Sequence, residues 1–293
     1  MKIQSLRLSN YKKFQAQKTI NFHLSENGLN DVSVLIGNNG SGKTSILQAV
    51  ALLLGAVNRA NFSHKKLNWA GFNIDFCKNA TLNADLLDGE AKQVLATQAA
   101  FLPTKYLPLS HSTKEKPPTN LSTTGKCFWY TEQRSYASQS FDESLRKRTA
   151  VNIDDLRRIL SLAFINKSPF YQKLSNLYSK IFPNRILLGS QAREGVNLAL
   201  EPYFFLGEGK NRYELSGMSA GERVIFSILI DFANLDISNS IILIDELELH
   251  LHPPLQQQLA RVLPSLGNNN QFIITTHSDY VAQMFDSNQL IYL

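Results

Sequence analysis

An eight-residue glycine-rich segment, Gly37 to Thr44, constrains the fold of this chain more than any other feature. It matches the pattern GxxxxGK[ST] at every fixed position. It follows the apolar, β-branched run Val32 to Ile36 and precedes a stretch with helical apolar spacing. Glycines let backbone N–H groups approach phosphates closely, and the helix N-terminus adds its dipole. The sequence therefore predicts a nucleotide phosphate site formed by Gly37, Asn38, Asn39, Gly40, Ser41, Gly42, Lys43, Thr44 and Ser45.

Two carboxylates follow an apolar strand near the other end of the chain. Residues 241–244 form a continuous apolar run, and Asp245 and Glu246 come directly after it. Ligands bind at the carboxyl ends of parallel strands. Beside a phosphate loop, we expect Lys43 to neutralise the β- and γ-phosphate oxygens, and Thr44 and Asp245 to hold Mg²⁺. Glu246 is then the residue that polarises or deprotonates the attacking water.

A further β-rich run, Phe272 to Thr276, ends at His277, downstream of the two carboxylates. A single histidine after a strand is more often structural than catalytic. The order of the motifs along the chain favours a catalytic role for His277 here.

Composition excludes several classes of protein. The 293 residues include 43% hydrophobic side chains and carry a net charge of +6, which suits a globular α/β protein and permits a nucleic-acid partner without requiring one. Cys77 and Cys127 stand far apart, so neither a disulfide framework nor a zinc site is expected. The longest apolar stretch, residues 46–57, is too short for a bilayer span, and the N-terminus lacks a secretion signal. We expect a cytoplasmic protein with no membrane segment.

Periodicity outlines the remaining elements. Alternating apolar residues predict an edge hairpin or meander at residues 3–8 and 20–24, and Ser168-Pro169 predicts a helix start. Further strands are predicted at residues 81–86, 92–102 and 196–206, a loop at 107–126, helices at 153–164 and 168–182, and a loop followed by a helix at 209–235.

The set of motifs resembles that of the ABC-type ATPases. Met218 to Glu222, MSAGE, stands where that family has its LSGGQ signature, upstream of Asp245. The string DELELHLHP at residues 245–253 is similar to the DExExHLHP of the OLD, RecF and SMC-like branch, the AAA-21 and AAA-15 type. The opening at residues 3–22 also looks like the opening of that branch. The resemblance is specific at four motifs and vague between residues 60 and 215.

The resemblance implies a P-loop NTPase fold of class α/β, an ABC-type ATPase head. Its parts would be an N-terminal antiparallel β subdomain, a mixed or parallel core sheet and a helical lobe. We expect a single domain over residues 1–293. Its nucleotide-binding core would comprise residues 1–60 and 190–293, with a β-rich insertion at about 61–145 and the helical lobe at about 146–189.

The resemblance also implies a dimeric mechanism. Two heads pair head to tail, and each ATP is held by the phosphate loop of one chain and the Ser219 loop of the other. Ser219 supplies a hydroxyl and a backbone N–H, and Gly221 gives an approach unobstructed by a Cβ atom. Residues 249–252 would lie at the dimer seam. The same segment is also typical of a helix capped by Ser219 with Glu222 closing a capping box, and the two interpretations are compatible.

Three more positions are predicted from relatives. This branch carries a glutamine that senses the γ-phosphate through Mg²⁺, and Gln133 and Gln98 both compete for that role; we favour Gln133. Residues 10–13 occupy the place where relatives contact adenine or the α-phosphate, so Lys12 and Lys13 are candidate nucleotide ligands. Both lysines could equally be solvated surface charges.

Length narrows the expected function. We expect no long coiled-coil arm, because the stretch between Thr44 and Ser219 is too short for one. We also expect no Toprim nuclease after His277, unless the chain is a truncation of a longer protein. We expect a slow ATPase switch that dimerises and controls DNA or a separately encoded effector in DNA repair, genome maintenance or anti-phage defence. The alternatives are a transporter subunit, which the LHLHP segment disfavours, and a non-catalytic scaffold clamped by ATP. Candidate DNA contacts, or ordinary solvated charges, are Lys65-Lys66, residues 114–116, residues 146–148 and Arg157-Arg158.

Overall fold

The computed structural model describes residues 2–25, 28–58, 81–87, 93–101, 106–109, 127–130, 153–192 and 202–293. The chain forms two compact units. The first comprises Met1–Thr131, Ser238–Leu247 and Asn269–Leu293, and the second comprises Glu132–Ile237 and Glu248–Asn268. The domain boundaries expected from the sequence stay a prediction.

The first unit contains a five-stranded parallel sheet of order β15-β5-β14-β13-β9. Its strands are β5 (Val32–Ile36), β9 (Cys127–Tyr130), β13 (Ile241–Ile244), β14 (Gln271–Thr276) and β15 (Leu290–Tyr292). Every residue of β9, β13 and β14 is buried, as expected for parallel strands covered on both faces. Helix α1 (Lys43–Asn58) follows β5 through the glycine-rich loop. The strand, loop and helix predicted at residues 32–57 are confirmed.

An antiparallel sheet of order β2-β1-β6-β7-β8 completes most of this unit. Its strands are β1 (Lys2–Ser9), β2 (Lys18–Asn21), β6 (Thr81–Leu87), β7 (Gln93–Phe101) and β8 (Tyr106–Leu109), and a small pair is formed by β3 (His23–Ser25) and β4 (Gly28–Leu29). The predicted hairpin at the N-terminus is confirmed, since β1 and β2 pair directly. The loop prediction for residues 107–126 is wrong at 107–109, because those residues pair with β7 as part of β8.

One buried glutamine links the two sheets of the first unit. The side chain of Gln271 on β14 accepts a hydrogen bond from the Ile3 N–H (2.6 Å) and donates one to the Ile3 carbonyl (2.9 Å). The ladder between β1 and β6 shifts register between Ile3 and Ser5. A polar side chain is stable at this buried position because both of its amide groups have partners.

The second unit combines helices with a three-stranded antiparallel sheet, β10 (Arg185–Gln191), β11 (Tyr203–Glu208) and β12 (Asn211–Glu214). Its helices are α2 (Ile153–Ile165), α3 (Pro169–Ile181), α4 (Ala220–Leu235) and α5 (Pro253–Val262), with 3₁₀ turns at Leu215–Gly217 and Leu263–Ser265. The predicted start of α3 is confirmed, since the Ser168 hydroxyl accepts from the Tyr171 N–H. The loop predicted at the start of residues 209–235 is wrong at Asn211–Glu214, which pairs with β11.

The last elements of the chain belong to the first unit: α6 (Asp279–Ala282) and a 3₁₀ turn at Ser287–Gln289.

One predicted DNA contact is engaged elsewhere. Arg157 is 9% exposed, and its guanidinium bonds both carboxylate oxygens of Glu214 at 2.7 Å and also Asp154. Arg158, on the exposed side of α2, pairs with Asp155. The other basic candidates, at 65–66, 114–116 and 146–148, lie outside the described residues.

The helices that the structure describes include none that is long and apolar enough to cross a bilayer.

The α/β fold class predicted from the sequence is confirmed, with a parallel core sheet and an N-terminal antiparallel sheet.

Candidate functional site

The glycine-rich loop joins β5 to α1 in a conformation that requires glycine. Gly40 and Gly42 have φ of +74° and +101°, a region that side chains other than glycine rarely adopt. A Cβ on Gly42 would lie 2.7 Å from the Phe14 ring and 2.9 Å from the Lys13 side chain. The conformation of the loop therefore depends on its own backbone and on the turn at residues 11–14, which lies against Gly42.

The amine of Lys43 lies across this loop. Lys43 is 5% exposed, and its Nζ donates to the carbonyls of Gly37 (2.7 Å) and Asn38 (3.2 Å). The Ser41 N–H also donates to the Asn38 carbonyl, at 3.0 Å. The ammonium group of a lysine is a good partner for phosphate, because charge-assisted bonds to phosphate are stronger than bonds to neutral oxygen.

Asp245 lies next to the first turn of α1. The Thr44 hydroxyl donates to Asp245 Oδ1 at 3.1 Å, and the Thr275 hydroxyl donates to the same oxygen at 2.7 Å. The Asp245 N–H donates to the Tyr130 carbonyl at the end of β9 (2.8 Å), so the backbone as well as the carboxylate is held. Asp245 is 5% exposed.

Glu246 and His277 follow the ends of two adjacent strands, β13 and β14. Glu246 is half-buried with φ of +48°, and its N–H donates to the Thr275 hydroxyl at 2.7 Å. His277 is exposed, directly after β14. Because β14 pairs with β5 on one side and β13 on the other, the glycine-rich loop, the two carboxylates and His277 share one edge of the parallel sheet.

The N-terminal turn brings both candidate lysines to this region. Tyr11 and Phe14 exchange backbone hydrogen bonds at 2.8 and 2.9 Å, which closes a tight turn. The Lys13 Nζ donates to the Gly40 carbonyl at 2.8 Å. The Lys12 amine bonds the side chain of Gln48 on α1. Lys13 thus reaches the glycine-rich loop itself, whereas Lys12 contacts the helix behind it.

The signature segment lies in the second unit and is a helix N-terminus. Ser219 Oγ accepts from the Glu222 N–H (3.2 Å), and Glu222 Oε2 accepts from the Ser219 N–H (2.8 Å), which completes the expected capping box. Ser219 itself is exposed. A Cβ on Gly221 would lie 3.0 Å from the His250 carbonyl, so close packing against that chain segment is a second reason for glycine there.

Side chains from β10 and β12 hold Glu222. Tyr213 donates its hydroxyl to Glu222 Oε1 at 2.9 Å, and the Arg185 guanidinium bonds the same oxygen. Burial raises the pKa of Tyr213 and of Tyr178, whose hydroxyls lie 3.5 Å apart, so both stay protonated near neutral pH. This support for the Ser219 loop was not predicted from the sequence, because Arg185, Tyr213 and Glu222 are separated along the chain.

Of the two candidate γ-phosphate sensors, Gln133 and Gln98, the structure describes only Gln98. Gln133 lies outside the described residues, three positions after the end of β9. Gln98 belongs to β7 of the antiparallel sheet, opposite Asn83 and Leu109. The choice of Gln133 stays a prediction.

The side chains at this edge of the parallel sheet fit a nucleoside triphosphate with Mg²⁺. Mg²⁺ is usually held by one or two carboxylates together with substrate phosphates and water. Thr44 and Asp245 would hold the ion, because their oxygens already lie 3.1 Å apart. The described residues contain no cluster of three or more His, Cys, Asp or Glu side chains that could hold a metal by themselves. Thr275, whose hydroxyl is the second to bond Asp245, was not predicted from the sequence.

Part of the chain is similar in sequence to proteins named as probable ATPases. Two curated relatives are the Retron Ec83 probable ATPase of Escherichia coli and the Retron Vc95 probable ATPase of Vibrio cholerae serotype O1 biovar El Tor. The first is 38% identical over 94 residues, covering 28% of this chain and 17% of that protein. The second is 33% identical over 108 residues, covering 32% and 21%. The matches therefore span about a fifth of the length of either relative.

Solved structures share the fold across the whole chain. An Smc head bound to the C-terminal winged-helix domain of ScpA has a TM-score of 0.61 at 16% identity, covering 99% of this chain and 94% of that one. The SMC head domain from Thermotoga maritima has a TM-score of 0.53 at 18% identity, covering 98% and 93%. Residues 2–293 match the RecF/RecN/SMC N terminal domain. The predicted resemblance is confirmed, and the chain belongs to the RecF/RecN/SMC N-terminal domain family of ABC-type P-loop ATPases.

Proposed function

We propose that this protein binds and hydrolyses ATP and uses the nucleotide as a switch on dimerisation. The observation that carries the proposal is the convergence of Lys43, Thr44, Asp245 and Glu246 on one edge of the parallel sheet. Two relatives named as probable ATPases support the hydrolytic part.

Each residue has a role that follows from its chemistry. Lys43 and the N–H groups of residues 38–45 bind the β- and γ-phosphates. Thr44 and Asp245 hold Mg²⁺, which neutralises phosphate charge when bound. Glu246 accepts a proton from the attacking water, and His277 at the neighbouring strand end orients the γ-phosphate region. Gln133 is our candidate for the residue that senses the γ-phosphate through Mg²⁺.

The dimer forms head to tail. Ser219 and Gly221 of one chain contact the γ-phosphate held by the phosphate loop of the other chain, so ATP joins the two copies. The exposed N-terminus of α4 supports this role, because the dipole of a helix favours an anion at its N-terminus. Hydrolysis then separates the copies, which gives slow, partner-dependent turnover.

We further propose that the switch acts on a separately encoded effector protein or on DNA, in anti-phage defence, DNA repair or genome maintenance. Direct DNA contact would involve lysines and arginines other than Arg157. It would weaken steeply as salt is raised, because phosphate contacts release counterions.

The test is substitution of the proposed base. Glu246→Gln keeps the size of the side chain but removes its basicity, so phosphate release should fall by about 10²-fold or more while ATP-bound dimers accumulate. Phosphate release and light scattering after size exclusion measure the two effects.

Asp236→Asn is the matched control, since Asp236 is an exposed carboxylate at the left-handed C-terminus of α4, a conformation that asparagine tolerates. Full hydrolysis by Glu246→Gln would remove Glu246 from the mechanism. A Glu246→Gln protein that stays monomeric at saturating ATP would overturn the dimer switch.

A further inference from the structure

A single buried hydroxyl connects the two carboxylate residues of the site. Thr275 lies on β14 and is 0% exposed. Its Oγ1 donates to Asp245 Oδ1 (2.7 Å) and accepts from the Glu246 N–H (2.7 Å). Its own carbonyl accepts from the Leu247 N–H at 3.0 Å. One residue of β14 therefore bonds three consecutive residues after β13.

The orientation of this hydroxyl is determined by its bonds. A threonine hydroxyl has one proton to donate, and here that proton points to the Asp245 carboxylate. The lone pairs receive the Glu246 N–H. Threonine is stiff at χ1 because it is β-branched, and a buried hydroxyl with both functions satisfied specifies a single arrangement.

The two residues that Thr275 bonds need such support for different reasons. Asp245 also receives the Thr44 hydroxyl at 3.1 Å, but Thr44 is exposed in the phosphate loop, whereas Thr275 donates from the core of the sheet. Glu246 has φ of +48°, which is uncommon for a residue other than glycine and persists only where its surroundings impose it. Bonds from the N–H groups of Glu246 and Leu247 to Thr275 hold that backbone on both sides.

We propose that Thr275 is a positioning residue that sets the carboxylate of Asp245 and the backbone of Glu246 together. This inference rests on the proposed ATPase function. Its consequence is that metal binding and water activation share one support, located on the strand that leads to His277. Loss of the hydroxyl weakens the response to Mg²⁺ and lowers turnover, while binding of nucleotide without metal is kept.

The test compares Thr275→Val, which keeps the shape and removes the hydroxyl, with Thr275→Ser, which keeps the hydroxyl. The affinity of a fluorescent ATP analogue is measured by anisotropy over a Mg²⁺ titration, and kcat and KM are measured by phosphate release. Partners that orient a metal ligand typically contribute about 10- to 100-fold to metal affinity or activity. We expect Thr275→Val to need at least about tenfold more Mg²⁺, with a lower kcat and an unchanged affinity in EDTA, and Thr275→Ser to restore both.

Ser33→Ala is the control for loss of a buried hydroxyl in the same sheet. Ser33 on β5 is 0% exposed, and its Oγ has no hydrogen-bond partner within the part of the chain that the structure describes. This variant should keep the wild-type Mg²⁺ dependence. If Thr275→Val does not fold, Thr275→Ala and Thr275→Ser are compared in the same titration.

The outcomes separate this inference from the proposed function. Equal Mg²⁺ dependence and kcat in folded Thr275→Val and wild-type protein would overturn the role of Thr275 and leave the ATPase function intact. A wild-type protein that binds Mg²⁺ and nucleotide but releases no phosphate would overturn hydrolysis, while the Mg²⁺ titration would still decide on Thr275. A wild-type protein that binds no nucleotide would overturn both.

Discussion

The ion pair between Arg157 and Glu214 should stabilise the second unit in a way that depends on pH. The side chains are 11% and 17% exposed, and two parallel hydrogen bonds of 2.7 Å join them. Burial alone would raise the pKa of Glu214, but the bonds from Arg157 and Ser216 outweigh it and lower the pKa from 4.5 to about 2. The folded pKa is below the unfolded one, so this stabilisation is present above about pH 4.5 and is lost as pH falls towards 2.

The size of the effect follows from that shift. One pKa unit corresponds to about 1.4 kcal/mol, and screening by solvent at a partly exposed carboxylate reduces the total to roughly 1–2 kcal/mol. Arg157→Met removes the cation while keeping most of the packing of the side chain. It also leaves a carboxylate without its main partner, so we expect a loss of about 2–3 kcal/mol in the free energy of unfolding at pH 7.

Urea unfolding of the wild type and of Arg157→Met, followed by fluorescence at pH 7, 5 and 3, measures the difference in their free energies of unfolding. The difference should shrink between pH 5 and pH 3, because Glu214 becomes protonated in the variant and in the unfolded chain. Arg158→Met is the matched control, since Arg158 is half exposed and its pair with Asp155 should contribute less than about 1 kcal/mol. A loss below about 0.5 kcal/mol for Arg157→Met, or one that is constant across this pH range, would refute the reasoning.

Three further results are expected. Gly42→Ala should weaken binding of a fluorescent ATP analogue at least about tenfold, because a Cβ there would lie 2.7 Å from the Phe14 ring at φ of +101°; binding within twofold of wild type would contradict it. Gln271→Leu should lower the free energy of unfolding by about 1–3 kcal/mol, as the Ile3 N–H and carbonyl lose a buried partner; an unchanged urea midpoint would argue against this link. Glu222→Gln should slow phosphate release more than it weakens ATP binding, since it loosens the Ser219 loop; equal effects on kcat and on affinity would count against that role.

Much of the first unit follows from local sequence patterns. The apolar runs at 32–36, 241–244 and 272–276 are strands because each is continuous and β-branched, and each ends at a polar residue or at the glycine-rich loop. The capping box at Ser219 and Glu222, in the second unit, is likewise a local pattern. The elements that were missed or misplaced include β8, β10 and β12, strands whose hydrogen bonds are made with other strands. Local propensity carries little information about such strands.

The sequence alone determined which residues stand at the strand ends and in the phosphate loop, because spacing within a strand, turn or helix start is a property of neighbouring residues. Only the tertiary structure decided which of these groups support one another. Thr275 reaches Asp245 across 30 positions, and Arg157 reaches Glu214 across 57. The register between parallel strands and the packing of α2 determine these contacts. From the sequence, Arg157 is expected to be a surface charge. In the fold, the same packing buries its side chain, which forms an ion pair with Glu214.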